Sequence, residues 1–189
     1  MQEPIQRPSL KKAVLIAVAT FLASYVIFLL LWIQVKDYYG TAVTVSASKL
    51  LTLVKNVAFE EKTGNGDTIE ATFSPLDRRD ILIDIPVQTS SYTFNAPLTF
   101  SFMAALFLFI KRKKRAYTEA VLILLAIHLL YVFSLELKTL TEVLIQRVVE
   151  KQNTPQLFIS QFLWSFTDNM VIRFEPFLIG LYMFIRFGR

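Results

Sequence analysis

The side chains able to do chemistry in this chain are few, and they gather toward its end. Gln161, Ser165, Asp168, Ile172 and Glu175 follow i, i+4, i+7, i+11 and i+14, so a helix places them on one face. Asn169 and Arg173 form an adjacent i, i+4 pair. The surrounding stretch, 157–185, is otherwise strongly apolar. A charge at bilayer depth costs roughly 2.5–3.5 kcal/mol on insertion scales, so such groups are paired or hydrated. Arg173 and Glu175 diverge at i, i+2, which points to a cross-helix partner for Arg173, either Glu136 or Asp37. The polar face then has two uses. It holds the bundle or a partner protein together, or it lines a small hydrophilic cavity for a headgroup or substrate, as in a small transporter or ligand-binding membrane subunit. Asp168 and Glu175 stand about 10 Å apart along one helix, too far for a tight acid–base pair.

His128 is the single histidine and falls inside another apolar stretch. An ionisable group there is a functional candidate by default. The plainer reading is a neutral imidazole hydrogen-bonded to a neighbouring helix. Glu136 lies eight residues on, about 12 Å of helix rise, and no second histidine completes a metal or catalytic set. The chain has no Cys, which excludes disulfides, thiolate metal sites and a cysteine nucleophile. With no Gly-rich phosphate loop and no His-Glu-x-x-His, no enzyme activity, cofactor or metal is expected.

The elements that must position these groups are membrane helices. Of 189 residues 54% are hydrophobic, with 17 Phe, and the excess sits in blocks. A span needs roughly 20 apolar residues. Residues 13–33, 92–110 and 120–137 meet that need, and 156–186 reads as an interfacial helix running into a fourth span. Basic residues at 7, 11 and 12 resemble a signal leader, but the apolar core is long and no small-x-small site follows, so an uncleaved anchor is expected. Trp32, Tyr38 and Tyr39 would mark its outer interface.

Lys111, Arg112, Lys113, Lys114 and Arg115 occupy the short loop 111–119 between the second and third spans. Such a loop stays cytoplasmic during insertion, so it anchors the topology. Both termini, 1–12 and 187–189, then face the cytoplasm of a bacterial inner membrane. The run has no interleaved aromatics, so anionic lipid is its natural partner and nucleic acid is not.

Segment 34–91 faces outward. Val43, Ala47, Leu50, Leu51, Val54 and Val57 recur at helical spacing and predict an amphipathic helix on the membrane or on its neighbours. Gly64-Asn65-Gly66-Asp67 is a turn signal between two strand-like runs, and Ile81, Ile83, Ile85 and Val87 alternate with Asp80, Leu82, Asp84 and Pro86 on the other face. A small three-stranded antiparallel sheet follows, whose edge could accept a peptide. Segment 138–155 extends the third helix through Leu140, Val143, Leu144, Arg147 and Val148, with Thr154 as a cap and Pro155 first in the last helix. The expected fold is therefore α-helical and membrane-embedded, with four transmembrane helices and a small α+β extracytoplasmic element between helices 1 and 2.

One pattern is familiar. The outer segment closes with Ile83-Asp84-Ile85-Pro86, then Tyr92-Thr93-Phe94-Asn95-Ala96-Pro97-Leu98 enters the second span. A basic turn, a third span and a long final helix with a late proline, Trp164 to Pro176, follow. This resembles the small membrane proteins found beside exosortase H in Gram-negative bacteria. The resemblance covers most of the chain and implies an accessory role in exosortase protein sorting, with the exosortase as partner. Exosortases use a membrane Cys with Arg and His. This chain has no Cys, and the resemblance carries over no catalytic residue.

Overall fold

The computed structural model describes residues 10–64, 66–107, 109–147 and 153–188. Glu3, Arg7, Asn65, Val148 and Arg189 lie outside the described residues. Helix α1 spans Leu10–Thr52 without a break. Three strands follow, β1 (Val57–Thr63), β2 (Thr68–Pro75) and β3 (Ile83–Gln88). The short α2 (Ser90–Thr93) leads into α3 (Asn95–Leu106), and α4 runs from Lys113 to Gln146. The last helical run comprises α5 (Thr154–Phe166), a π-helical segment (Thr167–Ile172) and α6 (Arg173–Phe187).

Two helices, Lys11–Thr52 and Lys113–Gln146, are long and apolar enough to cross a membrane, with mean hydropathy 2.7 and 2.3 over their best windows. The first of these windows has 0% of its residues buried by the rest of the chain. Leu15, Leu22, Leu30 and Leu31 are all more than half exposed, an apolar surface suited to lipid. Helix α3 is much shorter: 12 residues give about 18 Å against a hydrocarbon core of about 30 Å. Among the described residues of the stretch 92–110, the helix consists of the end of α2 followed by α3 at Asn95–Leu106.

The separate amphipathic helix expected after residue 34 is corrected by the structure. Those residues continue α1, whose 43 residues reach about 65 Å. Gly40 is the only Gly or Pro between 34 and 52, and its helix penalty of about 1 kcal/mol is offset by close packing. A Cβ there would collide with the Thr89 side chain. Val43, Ala47 and Leu51 are buried, but Leu50 and Val54 are exposed and Val57 begins β1. The first loop of the sheet uses Gly64 and Gly66 at φ 112° and 76°, where side chains are disfavoured.

The sheet is antiparallel in the order β1-β2-β3. Pairing shifts by one residue at Glu60, a bulge where Ser74 Oγ donates to the Glu60 carboxylate. Ile83, Ile85 and Val87 point inward while Asp84 and Pro86 face out. The inner face, with Ala71 and Phe73, packs on Leu51 of α1 and on Leu140 and Leu144 of α4. So small a sheet lacks a core of its own; the two long helices supply it. Toward the other end Met103, Ala120, Leu124, Ile179 and Met183 join α3, α4 and α6.

The last helix begins differently from expectation. Asn153, with extended φ −113° and ψ 98°, occupies the cap position, and Thr154 and Pro155 are its first two residues. Asn153 makes no side-chain cap bond. Proline is tolerated there because the missing N–H has no intrahelical acceptor in the first turn.

Candidate functional site

Four elements converge on His128, which is fully buried in α4. Tyr39 of α1 places its hydroxyl 2.7 Å from Nδ1. Glu175 of α6, also fully buried, brings Oε2 to 3.0 Å from Nε2. That approach is off hydrogen-bond alignment, and neither atom has another partner. From α3, Thr99 donates to Glu175 Oε1 at 3.2 Å. If the phenol donates to Nδ1, the neutral ring keeps its proton on Nε2, facing the carboxylate. Tyr92 closes the site, its ring centroid 5.3 Å from the imidazole and its hydroxyl donating to Gly40 O at 3.3 Å.

Glu175 reaches this layer because the last helix changes pitch. Proline at 176 has no N–H for the carbonyl of Ile172, four residues earlier. Asn95, 2% exposed, fills the gap: its Nδ2 donates to Ile172 O at 2.5 Å. The π segment immediately precedes this defect, and π turns insert extra residues that re-aim the chain beyond them. The face written in the sequence is therefore split. Gln161, Ser165, Asn169 and Arg173 are exposed and Asp168 half-buried, whereas Ile172 and Glu175 are buried.

The pairing expected for Arg173 does not form. Glu136 is fully buried and accepts from Ser48 Oγ at 2.7 Å, and Asp37 lies near Lys36 at 3.9 Å. Arg173 instead projects outward. Gln161 Nε2 donates to Glu142 Oε1 at 3.1 Å. His128 and Glu136 sit in two distinct polar layers of α4, one joining α1, α3 and α6, the other joining α1 alone. Among the described residues, no group of three or more His, Cys, Asp or Glu is placed to hold a metal.

Sequence reasoning missed Tyr39, Asn95, Thr99 and Ser48. Tyr39 was expected at the outer interface; it turns inward, and Tyr38 is the exposed member of the pair, at 81%. Asn95 had one signal, a polar amide at the mouth of an apolar segment beside Pro97.

The basic run is also more structured than a loop. Arg112 caps α4 in the left-handed region at φ 50°, and Lys111 N–H donates to Phe187 O at 2.7 Å. Glu119 takes a bond from Arg115 at 2.8 Å and another from the Tyr182 hydroxyl at 2.6 Å, with Arg186 at 3.2 Å. The Tyr182 bond, then the Arg115 bond, hold the Glu119 carboxyl below its usual range.

This arrangement is that of a helical bundle stitched by buried polar contacts, with a three-stranded sheet at one end and a basic knot at the other. No curated protein and no solved structure matches the chain. The family model of the exosortase H-associated membrane proteins matches residues 9–187, nearly the whole length, and the chain belongs to that family.

Proposed function

We propose that this protein is a non-catalytic accessory subunit of an exosortase-type sorting system. It lies in the bacterial inner membrane with four spans, both termini and the basic run cytoplasmic, and the sheet outside. The family match over residues 9–187 carries the reading, since that family is named for association with exosortase H. The buried state of His128 and Glu175 supports a structural task for that pair, because solvent and substrate do not reach it. The outward half of the polar face supplies the partner surface: Asp168, Asn169 and Arg173. Beside it Phe158, Phe162 and Phe166 stack along α5 and are 66%, 60% and 47% exposed. An aromatic ridge next to an arginine is the composition that protein interfaces favour.

Co-purification in mild detergent with a tagged exosortase tests the reading. The wild-type chain should be recovered with the enzyme, and Arg173→Ala should reduce recovery while leaving thermal stability intact. Absence of the wild-type chain from the exosortase eluate would overturn it. Orientation is tested separately on the thiol-free chain: Cys introduced at the exposed Arg79, between β2 and β3, should label from the periplasmic side only.

A further inference from the structure

Lys111, Arg112, Lys113, Lys114 and Arg115 gather with Arg186 at this end of the bundle, and Glu119 pairs with two of them, Arg115 and Arg186. Among the described residues no carboxylate pairs with Lys111, Arg112, Lys113 or Lys114. The start of α4 adds to the excess. Its first turn has no acidic residue and no side-chain cap, so the positive end of a 34-residue helix opens into a cluster of like charge. Topology alone asks only for cations on this side. It does not ask for them to be fixed in place. Yet the run is pinned to the end of α6 by the Lys111–Phe187 backbone bond and an Ile110–Gly188 bridge. Lys111, Arg112, Arg115 and Arg186 thereby line one cavity of about 430 Å³.

A second cavity, of about 500 Å³, is almost wholly apolar and lies between α1, α3 and the start of α4. It follows α1 from Ile16 to Phe28, about 18 Å of rise. Phe107 and Tyr117 form one end. Tyr117 spends its hydroxyl on Met103 O, so it presents the groove with its ring. Lys113 Nζ sits 3.3 Å above the Phe107 ring, so the cation cluster begins where the groove ends.

We propose that this end of the protein binds an anionic lipid, with its phosphate among Lys111, Arg112, Arg115 and Arg186 and an acyl chain along the Ile16–Phe107 groove. Charge complementarity selects this occupant. The cluster is short of anions, and the groove is a hydrocarbon slot that opens beside it. A transmembrane segment of another protein would fill the slot but bring no phosphate.

The test uses the full-length chain in a neutral detergent, with native mass spectrometry and thermal unfolding as readouts. Phosphatidylglycerol should be retained and stabilise the protein, whereas phosphatidylcholine should do neither. Lys111→Gln combined with Arg112→Asn removes two cations, keeps a residue that tolerates the left-handed backbone, and leaves the Glu119 bonds intact. At about 1 kcal/mol per basic residue and 1.4 kcal/mol per factor of ten, phosphatidylglycerol affinity should fall roughly 30-fold. Ala104→Trp fills the groove and should also weaken the lipid, while inorganic phosphate is unaffected by it. Thr20→Trp fills the same groove from α1 should Ala104→Trp fail to fold. Equal retention of both lipids, or stabilisation by inorganic phosphate as strong as by phosphatidylglycerol, overturns the proposal. So does undiminished lipid binding in a folded groove-filled variant.

Discussion

Asn95→Ala should destabilise the bundle through a single carbonyl. Ile172 O is buried, Pro176 has no N–H to give it, and Asn95 Nδ2 is its donor at 2.5 Å. Leaving a buried acceptor without a partner costs about 1–3 kcal/mol, so a loss of about 2 kcal/mol is expected. The same geometry states what should repair it. Pro176→Ala restores an N–H four residues after Ile172, and the helix can then satisfy the carbonyl itself. In that background Asn95→Ala should cost no more than about 0.5 kcal/mol, a coupling of about 1.5 kcal/mol. Reversible unfolding of the four proteins in mixed micelles, followed by the fluorescence of Trp32 and Trp164, measures the cycle. Distant independent sites add to within about 0.3–0.5 kcal/mol. Additivity at that level would refute the argument that the amide substitutes for the missing proline donor.

The His128–Glu175 pair offers a second test. Leaving a buried polar group without its partner costs about 1–3 kcal/mol, so His128→Ala and Glu175→Ala should each lower thermal stability. The double variant His128→Leu, Glu175→Leu should be less damaging than the sum, and strict additivity would remove the pair from the account. Gly40→Ala should lose about 1–3 kcal/mol to overpacking against Thr89. Thr89→Ala should restore most of it, because the Thr89 hydroxyl has no partner to lose; a rescue absent from the melting curve would place the strain elsewhere. Glu119 has a folded pKa below its unfolded value, so its contribution is present above the usual carboxylate range and lost as pH falls through the folded value. Acid titration of stability should therefore be shallower in Glu119→Gln, and identical profiles would count against the network.

The sequence disclosed periods and composition well. The alternation at Ile83, Ile85 and Val87 is the buried face of β3, and the apolar blocks of α1 and α4 are the two helices suited to a membrane. His128 and Glu175 were legible as candidates because charge among apolar residues is visible without coordinates. Their meeting was not. It depends on a π turn that rephases the last helix after Thr167, and a regular 3.6-residue period carries Asp168 and Glu175 to one face. Arg173 was misassigned for the same reason. The continuity of α1 was hidden because its pattern changes along its length, from an exposed apolar surface to a half-buried one where Val43, Ala47 and Leu51 pack inward. Asn95 and Thr99 are small polar residues whose roles exist only as a complement to a neighbour's defect, and one-dimensional patterns do not record complements.

The unbroken α1 also has a mechanical meaning. One rod carries Leu51 in the core of the sheet and Leu15 among exposed apolar residues, with no joint between them. Tyr39, bonded to His128, stands about 18 Å from the first and about 36 Å from the second. The far arm is braced by α3, where Phe21 packs on Phe102 and Phe28 on Phe100. A load on the sheet is therefore met by the whole length of one braced helix, with no hinge to absorb it.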